Sequence, residues 1–277
     1  MTGRGCLATL VGTFVLASCS APQPPPPPDP RVLMRRGDYG QAVAEAERQG
    51  GSNPTVAQLA LLAAARSAQA GPEGPTATAT ADLERAVARG SRGAALAAYA
   101  AEVSGSMAFA EDRFIACTRV VEPVVQAWGG TAAADDVRRG AVALLELAAY
   151  GAEHRAPVGA LEPLLHQAEL LLAGSTTNLG FPEDERRRAW GCFRAAGSLA
   201  ASTDRPESRD FALRAATLAV LVAEANENLA IAITCDYGSP RDRLREVLRR
   251  QNEPTLLQRF SAALERAEGC TLGAYAP

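Results

Sequence analysis

Apolar and polar residues recur with the period of an α-helix along most of the chain after residue 30. Leu161, Leu165 and Ala168, for example, share one face of a helix. The two-residue alternation of a half-buried strand is nearly absent. The pattern predicts helices over about 31–35, 38–50, 55–69, 79–89, 92–104, 107–128, 132–151, 157–173, 182–201, 206–230, 239–250 and 254–268.

Clusters of glycine and proline separate these predicted helices. The segments 50–54, 71–75 and 129–131 are rich in the two residues and indicate turns. Pro123 and Pro163 fall inside predicted helices. Because proline lacks an N–H donor, we expect a kink or a break at each.

The start of the helical region resembles a tetratricopeptide repeat. Gly37-Asp38-Tyr39 stands where the family has its inter-helix turn, Ala42 and Ala46 occupy the packing positions of the second helix, and Pro54 closes the unit. Two features depart from the family: Gln49 replaces a usual alanine, and few residues remain before the turn for a first helix.

A second, weaker resemblance to the tetratricopeptide repeat lies at 83–90 and 94–97, where small residues would let antiparallel helices pack closely. After residue 105 the repeat register is lost. The resemblance implies an all-α fold of helical hairpins over 31–277, tetratricopeptide-like or α-solenoid in type, and irregular toward the C-terminus. The alternative is an unrelated helical bundle.

The first residues have the three parts of an export signal. A basic start with Arg4 leads into an apolar run over 6–16, shorter than the roughly 20 residues that cross a bilayer as a helix. The segment ends in Leu16-Ala17-Ser18-Cys19. These four residues resemble the lipobox of bacterial lipoproteins, in which the cysteine thiol receives a diacylglycerol and the chain is cut before it.

The lipobox resemblance implies that residues 1–18 are a lipoprotein signal peptide and that Cys19 is lipidated, so that the mature protein is held on a membrane. Ser20 follows the cysteine. In Gram-negative lipoproteins a residue other than Asp there implies the outer membrane, facing the periplasm. The alternative is an ordinary signal peptide or membrane anchor with a chance cysteine.

The segment 19–30 contains the proline run 24–28 and predicts a linker. Such a run favours an extended polyproline II conformation, which makes a spacer between lipid and domain. The alternative is a ligand for a proline-reading domain.

Composition narrows the classes of partner. The net charge is −3 and the two signs are interspersed, which argues against nucleic-acid binding. Every basic residue is Arg. Aromatic residues make up 5% of the chain, so the helices must pack closely through small side chains.

Four cysteines remain besides Cys6 and Cys19. An even number in an exported domain favours two disulfides, and we favour the pairs Cys117–Cys192 and Cys235–Cys270 among the three possible pairings. The alternatives are free buried thiols and, since the spacings are wide, a less favoured metal site.

Candidate catalytic chemistry is sparse. The chain has two histidines, and His166 with Glu169 has a spacing seen in metal sites, although an ordinary surface role is favoured. The sequence contains no G-x-S-x-G, H-E-x-x-H or P-loop motif. We therefore expect no enzyme activity, no cofactor and no bound metal. The arginine-rich helix near 241–250 is interpreted as a solvated face.

The hypothesis for function is a lipid-anchored periplasmic scaffold that binds another protein in envelope assembly or secretion. If 55–69 is the first helix of a repeat, it lines the inner groove of the superhelix. Gln58, Leu62 and Arg66 are then the candidate partner-binding residues, while Leu61 and Ala65 pack inward. The alternative is a periplasmic helical protein that binds a small molecule for a transporter.

Overall fold

The computed structural model describes residues 27–74, 76–128, 133–175, 186–226, 229, 233 and 240–266. Across these ranges the regular structure is helical, with twelve α-helices and one 3₁₀ turn. None of the helices in these ranges is long and apolar enough to cross a membrane. The helices are α1 (Pro30–Arg36), α2 (Tyr39–Gly50), α3 (Val56–Ala70), α4 (Ala77–Arg89), α5 (Arg92–Ser106), α6 (Glu111–Gln126), α7 (Ala134–Glu153), α8 (Val158–Ser175), α9 (Arg186–Ser202), α10 (Arg209–Glu224), α11 (Pro240–Arg250) and α12 (Pro254–Glu265), and the 3₁₀ turn is Pro206–Ser208.

Consecutive helices form hairpins that stack in two rows. In one row α3, α5, α7, α9 and α11 each contact the next, and in the other α4, α6, α8, α10 and α12 do the same. The amide of Gly93 at the start of α5 donates to Asp136 Oδ1 at the start of α7 (2.9 Å), so these two helices run parallel. The result is an all-α helical-repeat fold, and its hairpin stacking continues past residue 105.

The first hairpin turns where the glycine pattern predicts. Gly37 has φ of +81°, a left-handed conformation that glycine adopts without strain, and its amide donates to Met34 O (3.1 Å). On the helix that follows, Ala42 and Ala46 are buried. The small side chains let α2 lie close against α3.

Small residues also set the spacing deeper in the core. Gly140 and Gly151, both on α7, lie under the rings of Trp128 and Phe114, and a Cβ at either position would overlap the ring. These close contacts match the low aromatic content, because a few large rings are accommodated by glycine and alanine around them.

Neither proline inside a predicted helix ends that helix. Pro123 lies within α6 and Pro163 within α8, and both helices continue past the proline. The helices are therefore not broken at either position, and a kink, the other expected outcome, stays a prediction. In α6 the apolar face that includes Val120, Val121 and Val124 is buried around the proline, and this packing outweighs the lost backbone hydrogen bond.

Candidate functional site

The predicted partner-binding face of α3 is built into the fold. Gln58 forms a capping box with Thr55, in which the Thr55 amide donates to Gln58 Oε1 (2.8 Å) and the Gln58 amide to Thr55 Oγ1 (3.3 Å). The Gln58 side chain also donates to Gln49 O (3.2 Å). Leu62 is 7% exposed, and Leu61 and Ala65 are buried as predicted.

Arg66, the third residue of that face, bridges two neighbouring helices. Its guanidinium pairs with Glu47 on α2 and with Asp82 on α4. The Asp82 side chain is 3% exposed and also pairs with Arg85. α2, α4, α5 and α6 all pack against α3, and on this face Leu62 is buried while Gln58 and Arg66 are half-buried. Partner binding by these three residues stays a prediction.

The cysteine pair predicted within the described residues is not joined. Cys117 and Cys192 are both free and buried. Cys117 Sγ lies 3.2 Å from Ser67 Oγ, which also contacts Tyr99 OH, and burial raises the pKa of this thiol to about 11. The predicted Cys117–Cys192 disulfide is therefore absent here, and buried free thiols, the alternative, describe this pair. Cys235 and Cys270 lie outside the described residues.

The two histidines are both exposed and lie at the end of α7 and on α8. His154 is exposed, stacks on Phe109 with ring centroids 4.7 Å apart, and places Nδ1 2.9 Å from Tyr150 O. His166 is exposed on α8, while its predicted neighbour Glu169 accepts a hydrogen bond from Arg214 (2.5 Å). In the ranges described above, no three His, Cys, Asp or Glu residues come together as a metal site.

A charged groove lies where α9 turns into α10. α9 ends with Thr203 donating from its hydroxyl to Leu199 O (2.6 Å), and Pro206 then begins the 3₁₀ turn. The end of α11 packs against this turn. Gln251 Nε2 donates to Asp204 Oδ1 (2.5 Å), and Arg209 Nη2 donates to Gln251 O (2.9 Å), so one glutamine fixes both sides of the turn.

Three clefts join to form the groove. The central one, about 460 Å³, lies between the α9–α10 turn and the end of α11. It shares Pro206 and Arg209 with a cleft of about 440 Å³ that runs toward α8. It shares Asp204 and Arg250 with a cleft of about 460 Å³ that runs along α11. We call the three together the α9–α10 groove.

Fixed charges of both signs line the α9–α10 groove. At its α8 end, Arg214 pairs with Glu162 and Glu169, and hydrogen bonding to Glu169 and Glu162, opposed by burial, raises the pKa of the guanidinium. At its α11 end, Arg250 Nε donates to Glu246 Oε1 (2.9 Å). The hydrogen bond from Arg241 lowers the pKa of Asp242 there. Charged side chains of both signs are therefore present at both ends of the groove.

The sequence analysis described both segments that form the groove but did not predict a groove. The sequence predicts that a helix begins at about residue 206, and the arginine-rich helix near 241–250 is interpreted as a solvated face. The sequence feature that could have indicated the groove is the turn 204–207, where Asp, Arg, Pro and Glu follow one another. The groove arises only when these two segments, which have α10 between them in the described part of the chain, are brought together.

Trp128 and Trp190, which would be strong binding residues if exposed, pack against the core. Trp190 stacks on Phe193 with centroids 5.9 Å apart. Neither lines any of the three clefts of the groove.

Comparison of the chain with protein-family models, with curated proteins and with solved structures found no match. The helix order and the stacked hairpins define the chain as an all-α helical-repeat protein.

Proposed function

We propose that this protein is a lipid-anchored scaffold of the bacterial cell envelope, held through Cys19 at the outer membrane and facing the periplasm, and that it binds another protein along the α9–α10 groove. The observation that carries the proposal is the continuity of three open, charged clefts across the ends of α8, α9, α10 and α11. Stacked helical hairpins present extended surfaces of this kind to polypeptides.

A polypeptide fits the groove better than a small solute. Small-molecule sites enclose the ligand and bury most of its surface. The central cleft is instead open and lined by Arg205, Arg209, Arg250 and polar neighbours. Side chains of alternating charge along an extended chain can pair with these groups in turn, and such pairing supports specificity and fast association.

Binding is tested by charge reversal inside and outside the groove. The full-length protein, solubilised from membranes, is used to capture envelope proteins, which are quantified by mass spectrometry. Arg209→Glu should lower recovery of a specific partner by on the order of tenfold. Arg48→Glu changes an exposed arginine on α2 by the same charge and should leave recovery unchanged. Equal recovery of every partner by both variants would remove the groove as the binding site.

Anchoring is tested separately. Cys19→Ala removes the thiol that the lipobox resemblance assigns to lipid attachment. The variant should no longer mature as a lipoprotein or partition with membranes, because the acyl chains supply the membrane affinity. Wild-type processing and membrane partition in this variant would refute the lipid anchor without bearing on the groove.

A further inference from the structure

Asp204, at the centre of the groove, has one carboxylate oxygen that lacks a hydrogen-bond donor within the described part of the chain. The side chain is 6% exposed. Its Oδ1 accepts from Gln251 Nε2 (2.5 Å), whereas Oδ2 is buried and accepts no hydrogen bond from the residues that the structure describes. Buried acceptors in folded proteins nearly always have a donor, so this oxygen is an exception that calls for one.

Arg250 forms an ion pair with this oxygen but donates no hydrogen bond to it. Its Nη1 lies 3.6 Å from Asp204 Oδ2, beyond hydrogen-bond distance, and its side chain is 64% exposed. Its Nε already donates to Glu246 Oε1 (2.9 Å) on the same helix. Arg250 can therefore turn away from Asp204 while keeping a carboxylate partner.

The charges around Asp204 are of the opposite sign. Arg205, Arg209 and Arg250 line the same cleft, in which Asp204 is the one acidic group among the described lining residues. Arg205 lies 4.0 Å from Glu207, and Arg209 donates to a backbone carbonyl rather than to a carboxylate. A ligand that matches this cleft has a cationic group at its centre and anionic groups beside it.

We propose that Asp204 Oδ2 accepts the ammonium or guanidinium of a Lys or Arg side chain of the partner protein, and that acidic residues flanking that side chain pair with Arg205 and Arg209. Charge-assisted hydrogen bonds of this kind are stronger than neutral ones. The inference rests on the proposed function, because it identifies what part of a partner polypeptide the groove recognises. The clefts on either side leave room for the segment to extend in both directions.

The partner segment is identified by photo-cross-linking in cells that make the full-length protein. A benzophenone amino acid replaces Glu207, which is exposed at the edge of the groove. Cross-linked peptides are then sequenced by mass spectrometry. The expected segment contains a Lys or Arg with acidic residues nearby. A segment without a basic residue would overturn the assignment to Asp204 but would leave the groove as the binding site.

Asp204→Asn is the matched test within this protein. Asn keeps a carbonyl oxygen that can accept from Gln251 but replaces Oδ2 with a donor, which repels a cation. Cross-linking should fall by on the order of tenfold or more. Asp38→Asn makes the same change of charge at an exposed residue in the first hairpin and should not alter it. Unchanged cross-linking in a folded Asp204→Asn variant overturns the proposal.

Arg250→Gln keeps the proposal testable if Asp204→Asn does not fold. Removing the competing guanidinium should increase cross-linking at position 207, and a decrease would mean that Arg250 itself binds the partner instead. If no cross-link forms at 207 while partner capture persists through another surface, the proposed groove fails together with this inference.

Discussion

Arg66 and Arg214 each pair with two acidic side chains, but the acids around them differ in how far they are exposed to solvent. Each guanidinium bridges two carboxylates: Glu47 and Asp82 for Arg66, and Glu162 and Glu169 for Arg214. The contrast lies in one acid: Asp82 is 3% exposed, whereas Glu47, Glu162 and Glu169 are 50%, 43% and 30% exposed.

The difference follows from what surrounds each helix. α4 packs against α3, and the Asp82 carboxylate buried between them is neutralised by Arg66 and Arg85. Arg214 lies on α10, beside the cleft that leads toward α8, where solvent reaches the ion pairs. An arginine between two acids is therefore not by itself a sign of a binding surface. Its exposure decides whether it stabilises the fold or remains available to a partner.

The largest effect should come from Leu62→Ala. If α3 is interior, removing this 7%-exposed side chain should lower the free energy of unfolding by about 2–5 kcal/mol, through lost burial and a cavity. Leu170→Ala on α8 removes an exposed leucine and should change stability by less than about 0.5 kcal/mol. Urea unfolding measures both free energies. Equal small losses in the two variants would contradict the burial of Leu62 on α3.

Arg66→Gln should have the next largest effect. Among the residues that the structure describes, it leaves Arg85 (3.0 Å) as the one cation paired with the buried Asp82, so stability should fall by about 2–4 kcal/mol. Urea unfolding at low and high salt should show little change in this loss, because buried charges are poorly screened. A loss below about 0.5 kcal/mol would contradict an interior role for Arg66.

Arg214→Gln is the open counterpart. The same substitution should lower stability by about 1 kcal/mol or less, since exposed ion pairs contribute little. The loss should shrink further as salt is added. A loss as large as that of Arg66→Gln, and independent of salt, would remove the contrast between the two regions.

The two buried thiols, one in each half of the fold, should have the smallest effect on the free energy of unfolding near neutral pH. Burial raises the pKa of Cys117 to about 11 and, with a further contribution from Glu146, that of Cys192 to about 12. The folded protein keeps both thiols protonated, while the unfolded chain ionises them above about pH 9. The free energy of unfolding should thus be unaffected by these groups below about pH 8 and fall as the pH rises toward 11–12.

The thiol prediction is checked with a Cys117→Ala, Cys192→Ala double variant, whose stability should fall less steeply over the same alkaline range. In the wild type, a thiol reagent at pH 8 should label these two positions only after denaturation. Rapid labelling of both in the native state would contradict their burial.

Much of the fold could be predicted from neighbouring residues alone. The predicted helices 92–104 and 239–250 correspond to α5 at Arg92–Ser106 and α11 at Pro240–Arg250. The turn at Gly37 was marked by a glycine that the left-handed backbone favours. Pro123 and Pro163 do not break their helices, because burial of the helix faces by other elements outweighs the local preference.

The sequence by itself determined where helices begin, turn and end, because periodicity, capping and turn chemistry act over about four residues. Only the tertiary structure decided which faces are buried. Arg66 meets Glu47 and Asp82 across 19 and 16 residues, and Asp204 meets Gln251 across 47. Whether a charged side chain becomes interior or lines a groove depends on these distant partners, since burial is a property of the assembled helices rather than of any one of them.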